Sequence, residues 1–362
     1  MTTDVPTAPK AHTAPGRLGD PALTIGTDPR ADPRMVAVMG ELGLLDHADG
    51  APLTPDAGRE TLLQFVDAVE EGFEGLFARL AEGLPPIHGV TSELRTITGD
   101  GGHEIGLHVH RPEGVDGPLP VIYQVHGGGM VMLAATGGLY TRWRNELAAA
   151  GAVVVGVEYR NGGGALGPHP FPAGLEDCAT GLRWVAQHLE ELGGTHIVVT
   201  GDSGGGNLAL ALPIKAKREG WADAIAGVYA QCPYILGDWT DASLPSLVEN
   251  DRYWLNRSLF PLLAEVYDPG AGNATEATCW PYHATADDLA GLPPHVISCN
   301  ELDPLRDEGI AYHRALLAAG VPSVGKVNLG LCHVGELMFR AAMPDVYAQA
   351  VRDVLGFARS LG

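Results

Sequence analysis

Basic residues are scarce in this chain. Its 362 residues carry 23 lysines and arginines against 44 aspartates and glutamates, for a net charge of −21. Nucleic acids and anionic membrane surfaces are bound by clusters of Lys and Arg, and the chain has none. Solubility is the simplest use of the acidic excess. Cysteine is sparse too. Cys178, Cys232, Cys279, Cys299 and Cys332 are dispersed, odd in number and without Cys-x-x-Cys spacing. That excludes a disulfide framework and speaks against zinc. His108 and His110 point the same way on an expected strand, but no third ligand sits nearby in sequence, so we expect no metal. No apolar run is long enough to span a bilayer, so we expect no membrane insertion. The first 34 residues lack the apolar core of a signal peptide, and the expected location is cytoplasmic. Without such a signal, the sequons at Asn256 and Asn273 are expected to be inert.

Serine is also rare, with only 8 copies, while glycine has 49. That contrast gives weight to Gly201-Asp202-Ser203-Gly204-Gly205. At this glycine content, about 0.15 chance copies of Gly-x-Ser-x-Gly are expected. His126-Gly127-Gly128-Gly129 is rarer, with about 0.03 chance copies. Each motif closes an apolar run that reads as a buried strand: Val121-Ile122-Tyr123-Gln124-Val125 before the first, Ile197-Val198-Val199-Thr200 before the second. Together they supply a serine on a tight strand-to-helix turn and a glycine loop whose N–H groups can hold an oxyanion.

Hydrophobic periodicity organises the rest. Residues 1–33 carry six prolines and little pattern, so a loosely ordered arm is expected there. Residues 34–87 hold apolar residues three and four apart, the pattern of amphipathic helices that pack on the core or form a cap. After Pro85-Pro86 the period becomes two. Paired strands are expected over 92–97 and 105–111, joined by Gly99-Asp100-Gly101-Gly102. Strands at 119–125, 152–158, 196–200, 225–231, 295–300 and 324–329 then alternate with helices at 138–150, 174–192, 203–218, 304–319 and 341–360. That alternation predicts an α/β fold with a mostly parallel central sheet covered by helices on both faces. Pro213 is expected to kink or shorten its helix. Residues 237–283 break the rhythm and read as an insertion into the 88–362 domain.

Ser203 needs a base, and the base needs an orienting acid. Loops after successive parallel strands meet at one sheet edge. The loop after 295–300 offers Glu301 and Asp303, and the loop after 324–329 offers His333. The chain order Ser, Asp, His is that of the α/β-hydrolases. Simpler roles exist for each residue. Ser203 and Asp303 could cap helices, and His333 could be a surface histidine. Asp307 and Glu308 fit the first turn of a helix, where acids suit the dipole. Cys332 adjoins His333, yet sequence neighbours rarely pair as nucleophile and base. His126 reads as a brace for its glycine loop. The N–H of Gly204 is an expected oxyanion donor, with either Gly127 and Gly128 or Gly128 and Gly129.

These residues resemble the hormone-sensitive-lipase family of α/β-hydrolases, bacterial carboxylesterases with a His-Gly-Gly-Gly motif. The resemblance covers about residues 88–360. It extends to Glu158-Tyr159-Arg160, Pro170-Phe171-Pro172-Ala173 with Glu176-Asp177, and Asp303-Pro304-Leu305-Arg306-Asp307-Glu308. It implies an α/β-hydrolase fold, a triad of Ser203, Asp303 and His333, and a helical cap built from the N-terminal helices and the insertion. The implied activity is a serine carboxylesterase without cofactor, acting through an acyl-enzyme on a neutral, largely apolar small-molecule ester or lactone. A peptidase of the same fold and a non-catalytic ligand-binding homologue are the alternatives, and a homo-oligomer is left open. Two departures stand out. The family usually has Ala after the nucleophile where this chain has Gly204, which is expected to loosen the turn. The family's tract between Tyr-Arg and Pro-Phe-Pro is replaced by Asn161-Gly162-Gly163-Gly164-Ala165-Leu166-Gly167.

Overall fold

A computed structural model describes residues 20–115, 117–237, 239 and 244–362. Eight strands form one sheet: β1 (Val90–Thr98), β2 (Glu104–Pro112), β3 (Leu119–Val125), β4 (Val153–Glu158), β5 (Gly194–Asp202), β6 (Gly227–Gln231), β7 (His295–Asn300) and β8 (Ser323–Asn328). Their spatial order is β1-β2-β4-β3-β5-β6-β7-β8. The β1–β2 and β2–β4 pairs are antiparallel and every other pair is parallel. The expected turn at Gly99 joins the first pair, with the Gly99 N–H bonded to the His103 carbonyl at 2.8 Å.

The continuous apolar runs of β3 and β4 follow from burial on both faces. Side chains alternate across a strand. Val121, Tyr123 and Val125 therefore join one core with Val153, Val155 and Val157, while Ile122 and Val154 join the core on the opposite face. Those two cores are roofed by α3 (Gly138–Ala149), α4 (Ala173–Gln187), α5 (Gly204–Glu219), α9 (Arg306–Ala318) and α11 (Pro344–Arg359). Helix α5 runs through Pro213 without being shortened and ends at Gly220 in the left-handed region, φ 79°. Of the expected kink or shortening, the shortening does not occur. Ala209, Ala211, Leu212 and Ile214 are fully buried around the proline, so tertiary packing outweighs the one lost backbone bond.

Ahead of the sheet lie α1 (Pro33–Glu41) and the 22-residue α2 (Arg59–Leu80). Between β6 and β7 the chain forms α6 (Ser246–Glu249), α7 (Phe260–Tyr267) and α8 (Ala286–Leu289), and α10 (Gly335–Met338) follows β8. Helix α2 packs on α7 and α3. No helix among the described residues is long and apolar enough to cross a membrane.

The N-terminal arm needs partial revision. Residues 1–19 lie outside the described residues, but residues 20–32 are anchored. Ile25 is buried with Met35, Met39, Tyr253 and Leu331. Asp28 Oδ2 accepts the Tyr253 hydroxyl at 2.9 Å, and Arg30 pairs with both Asp28 and Glu249. The Asp32 N–H bonds the Gly330 carbonyl at 3.0 Å. A proline-rich composition hid this because one buried isoleucine and a few ion pairs leave no periodic pattern.

Candidate active site

Six parallel strands end at the same sheet edge, and the loops leaving β3, β5, β7 and β8 carry the candidate residues. After β5 the chain turns sharply at Ser203, whose φ of 53° and ψ of −120° are unusual for a residue with a side chain. The turn is pinned: the Ser203 N–H bonds the Gln231 carbonyl at 2.9 Å, and its carbonyl accepts the Asn207 and Tyr234 N–H groups at 3.0 Å each. The flanking glycines are sterically required. A Cβ on Gly201 would lie 2.1 Å from the Gly205 carbonyl oxygen, and one on Gly205 would lie 2.3 Å from that of Val125.

After β7 and β8 come Asp303 and His333. Asp303 is fully buried, and its Oδ2 lies 2.8 Å from His333 Nδ1. The other carboxylate oxygen accepts the Leu305 N–H at 2.9 Å, and Asn250 holds the Asp303 carbonyl at 3.0 Å. The neighbouring acids are engaged elsewhere. Glu301 accepts the Gly330 N–H, and Asp307 accepts the Ser246 N–H and pairs with Arg306. Glu308 lies in the first turn of α9 as expected, with its side chain turned inward. It is buried and accepts the Ile235 N–H at 2.7 Å and the Trp239 indole N–H at 3.2 Å. Burial pushes its carboxyl well above the usual range.

The His126–Gly129 loop follows β3. His126 is buried and stacks on Tyr159, with centroids 4.2 Å apart, and burial lowers its ring to about 3. A ring kept neutral in this way braces the loop. Gly128 and Gly129 take φ values of 104° and 61°, where side chains are strained. The Gly127 N–H bonds the Tyr140 hydroxyl at 2.9 Å, and that hydroxyl donates to Asp202 at 3.2 Å. Among the described residues, the N–H groups of Gly128 and Gly129 have no acceptor.

Gly204, which departs from the family pattern, sits where the backbone of the glycine loop leaves no room for a Cβ. A Cβ there would stand 2.5 Å from the Met130 nitrogen and 2.6 Å from the Gly129 nitrogen. The missing side chain brings the glycine loop against the serine turn.

Ser203, His333, Gly128 and Gly129 border one cleft. Its apolar walls come from Phe73 and Phe77 of α2 and from Trp254, Leu255, Phe260 and Leu263 of the insertion. Sequence reasoning named Ser203, Asp303, His333 and the glycine loop as candidates but gave no role to Tyr140 or Asp202. Asp202 was visible inside the serine motif, where its fully buried position is the signal. Burial raises its carboxyl to about 7, opposed by His333 and by the Tyr140 hydrogen bond and reinforced by Glu336.

Cys232, Asp303 and His333 place donor atoms within 4.8 Å of one another. They make a poor metal cradle. Burial and the Glu336 and Asp303 charges hold the Cys232 thiol protonated, and Asp303 and His333 bond to each other. The Cys332 thiol is likewise pushed well above its usual range by burial, so it is no nucleophile. His110 uses both ring nitrogens, on Asn145 and Arg144. All five cysteines are free and buried.

A family model described as alpha/beta hydrolase fold matches residues 122–336. Carboxylesterase NlhH of Mycobacterium tuberculosis is 35% identical over 303 residues, covering 80% of this chain and 90% of that protein. Esterase LipI of the same species is 36% identical over 289 residues, covering 72% and 82%. Among solved structures, brefeldin A esterase, described as a bacterial homologue of human hormone-sensitive lipase, is similar with a TM-score of 0.92. It is 46% identical and covers 96% of this chain and 98% of its own. Esterase Est22 is similar with a TM-score of 0.83 at 37% identity, covering 93% and 99%.

Proposed function

We propose a serine mechanism for this chain, which belongs to the alpha/beta hydrolase family in its hormone-sensitive-lipase branch and is a carboxylic ester hydrolase. Ser203 Oγ attacks the ester carbonyl while His333 takes its proton. Asp303 fixes the imidazole tautomer and stabilises the imidazolium. His333 then gives the proton to the departing alcohol, which leaves an acyl-enzyme. Water, deprotonated by His333, releases the acid and restores the serine. The observation that carries this reading is the 2.8 Å bond from His333 to Asp303 in the same cleft that Ser203 borders.

The oxyanion is held by the N–H groups of Gly128, Gly129 and Gly204. Gly127 is the weaker candidate because its N–H is committed to Tyr140. No cofactor takes part. We read helices α1 and α2 and the described residues of 237–283 as the cap on a catalytic domain of residues 88–362, with 238 and 240–243 lying outside the described residues. The aromatic and aliphatic walls favour a neutral, apolar ester or lactone, and the proposed setting is cytoplasmic.

The test is a panel of p-nitrophenyl esters of rising acyl length, simple lactones and peptide anilides. Neutral esters or lactones should turn over with a pre-steady-state burst that marks an acyl-enzyme. Turnover confined to the anilides, or an activity retained by Ser203→Ala, would sink the reading.

A further inference from the structure

One carboxylate of the cap reaches the loop that carries the oxyanion donors. Glu70 lies on α2 and is only 7% exposed. Its Oε1 accepts the Leu133 N–H at 2.5 Å, and its Oε2 accepts the Ala165 N–H at 2.7 Å. It thus bridges two loops that are about thirty residues apart in sequence. Leu133 sits at φ 72°, in the left-handed region that disfavours residues with a side chain. Both of its backbone polar groups are held, because Asn161 Nδ2 donates to its carbonyl at 2.6 Å. Leu133 also lines the cleft.

The link from Leu133 to the oxyanion donors is short. The Val131 and Met132 N–H groups bond the Gly128 carbonyl at 3.0 and 3.1 Å, which makes residues 128–133 one tight turn. A shift at Leu133 is therefore passed to Gly128 and Gly129. The glycine tract that departs from the family pattern is the seat of α2. A Cβ on Gly163 would press on Val66 at 3.1 Å and on Leu63 at 3.3 Å. One on Gly164, itself at φ 62°, would lie 2.6 Å from Glu70 Oε2. Gly162 and Gly163 in turn donate to the Met130 and Val131 carbonyls at 2.9 and 3.0 Å.

We infer that Glu70 is a positioning residue for the reaction: it clamps the cap to the turn that aims the Gly128 and Gly129 N–H groups, so that the oxyanion site is formed when α2 is seated. This inference rests on the serine mechanism proposed above. Its signature is loss of transition-state stabilisation with little change in ground-state binding.

The test uses the full chain with Glu70→Gln. The amide offers a donor to one of the two N–H groups, so one loop is released. On a p-nitrophenyl ester, kcat should fall about 10–100-fold while KM stays within about threefold. A trifluoromethyl ketone, which adds to the serine and places an oxyanion at the site, should lose affinity by the same factor as kcat/KM. Inhibition by p-nitrophenol, which forms no oxyanion, should change less than about threefold. A purely structural role would lower the melting temperature and leave the ketone's affinity intact. A folded Glu70→Gln variant with kcat/KM and ketone affinity within about threefold of the parent overturns the inference. If that variant does not fold, Gly164→Ala puts the same question from the opposite side, since its Cβ displaces the carboxylate. The same split between kcat and KM would support the clamp, and unchanged kinetics would overturn it. A parent chain that a fluorophosphonate fails to label at Ser203 would instead sink the serine mechanism itself.

Discussion

His333 Nδ1 lies 2.8 Å from Asp303 Oδ2, and the other oxygen of that carboxylate accepts the Leu305 N–H. The buried acid is thus held at two points, and one of them is the imidazole. Asp307, four residues on, is turned toward Ser246 and Arg306. Asp303→Asn keeps the shape but offers the imidazole the wrong tautomer, which in serine proteases costs about 10⁴ in kcat. We expect a loss of several orders of magnitude for Asp303→Asn and less than about tenfold for Asp307→Asn. Kinetics on the two purified variants decide it, and the reverse ranking would mean that the acid is misassigned.

The close approach of Gly204 to the Gly129 and Met130 nitrogens makes Gly204→Ala informative. Its methyl must push the glycine loop away from the serine turn. Loss of one oxyanion donor typically costs about 10²–10³ in rate. We expect kcat to fall at least about tenfold, with KM nearly unchanged. A variant as fast as the parent would show that the loop has slack.

Asp202 should make stability depend on pH in a definite direction. Its folded value of about 7 lies above the ordinary 3.8 because the group is buried. The folded state therefore binds this proton more tightly. Its contribution is present below about pH 4 and is lost as pH rises toward 7. Asp202→Asn keeps an oxygen for the Tyr140 hydroxyl and removes the charge. Relative to the parent, the variant should gain stability between pH 5 and pH 8, by an amount on the order of a few kcal/mol. Urea unfolding at the two pH values measures this, and a difference that does not change with pH would falsify the burial argument.

The anchored segment ahead of α1 contributes to the fold. Ile25 is 1% exposed. Replacing it with Ala should cost about 2–4 kcal/mol, the usual range for emptying such a site. Arg30→Met should also destabilise, because Asp28 and Glu249 lose their shared partner. Thermal melts of the two variants that overlay the parent would return residues 20–32 to the loose arm read from composition.

What was legible in the sequence was local. Ser203 and the His126–Gly129 loop announce themselves because glycine is needed within two or three residues of the proposed nucleophile and oxyanion donors. Strand and helix types followed from periods of two and 3.6, and the parallel sheet followed from their alternation. Glu70 was illegible for the opposite reason. In sequence it is one more acid on an amphipathic helix, and its partners Leu133 and Ala165 are far along the chain. Tyr140 likewise meets Gly127 and Asp202 only through the fold. The inward turn of Glu308 depends on where the insertion starts after β6, which no periodicity encodes.

The central claim is that Ser203 carries the acyl group. A fluorophosphonate forms a stable phosphonyl bond with an activated serine, so the chain should gain one adduct mass in intact-protein spectrometry. Peptide mapping should place that adduct on Ser203, and Ser203→Ala should acquire none while remaining folded. An adduct on another residue, or an unlabelled parent that still hydrolyses esters, would contradict the account.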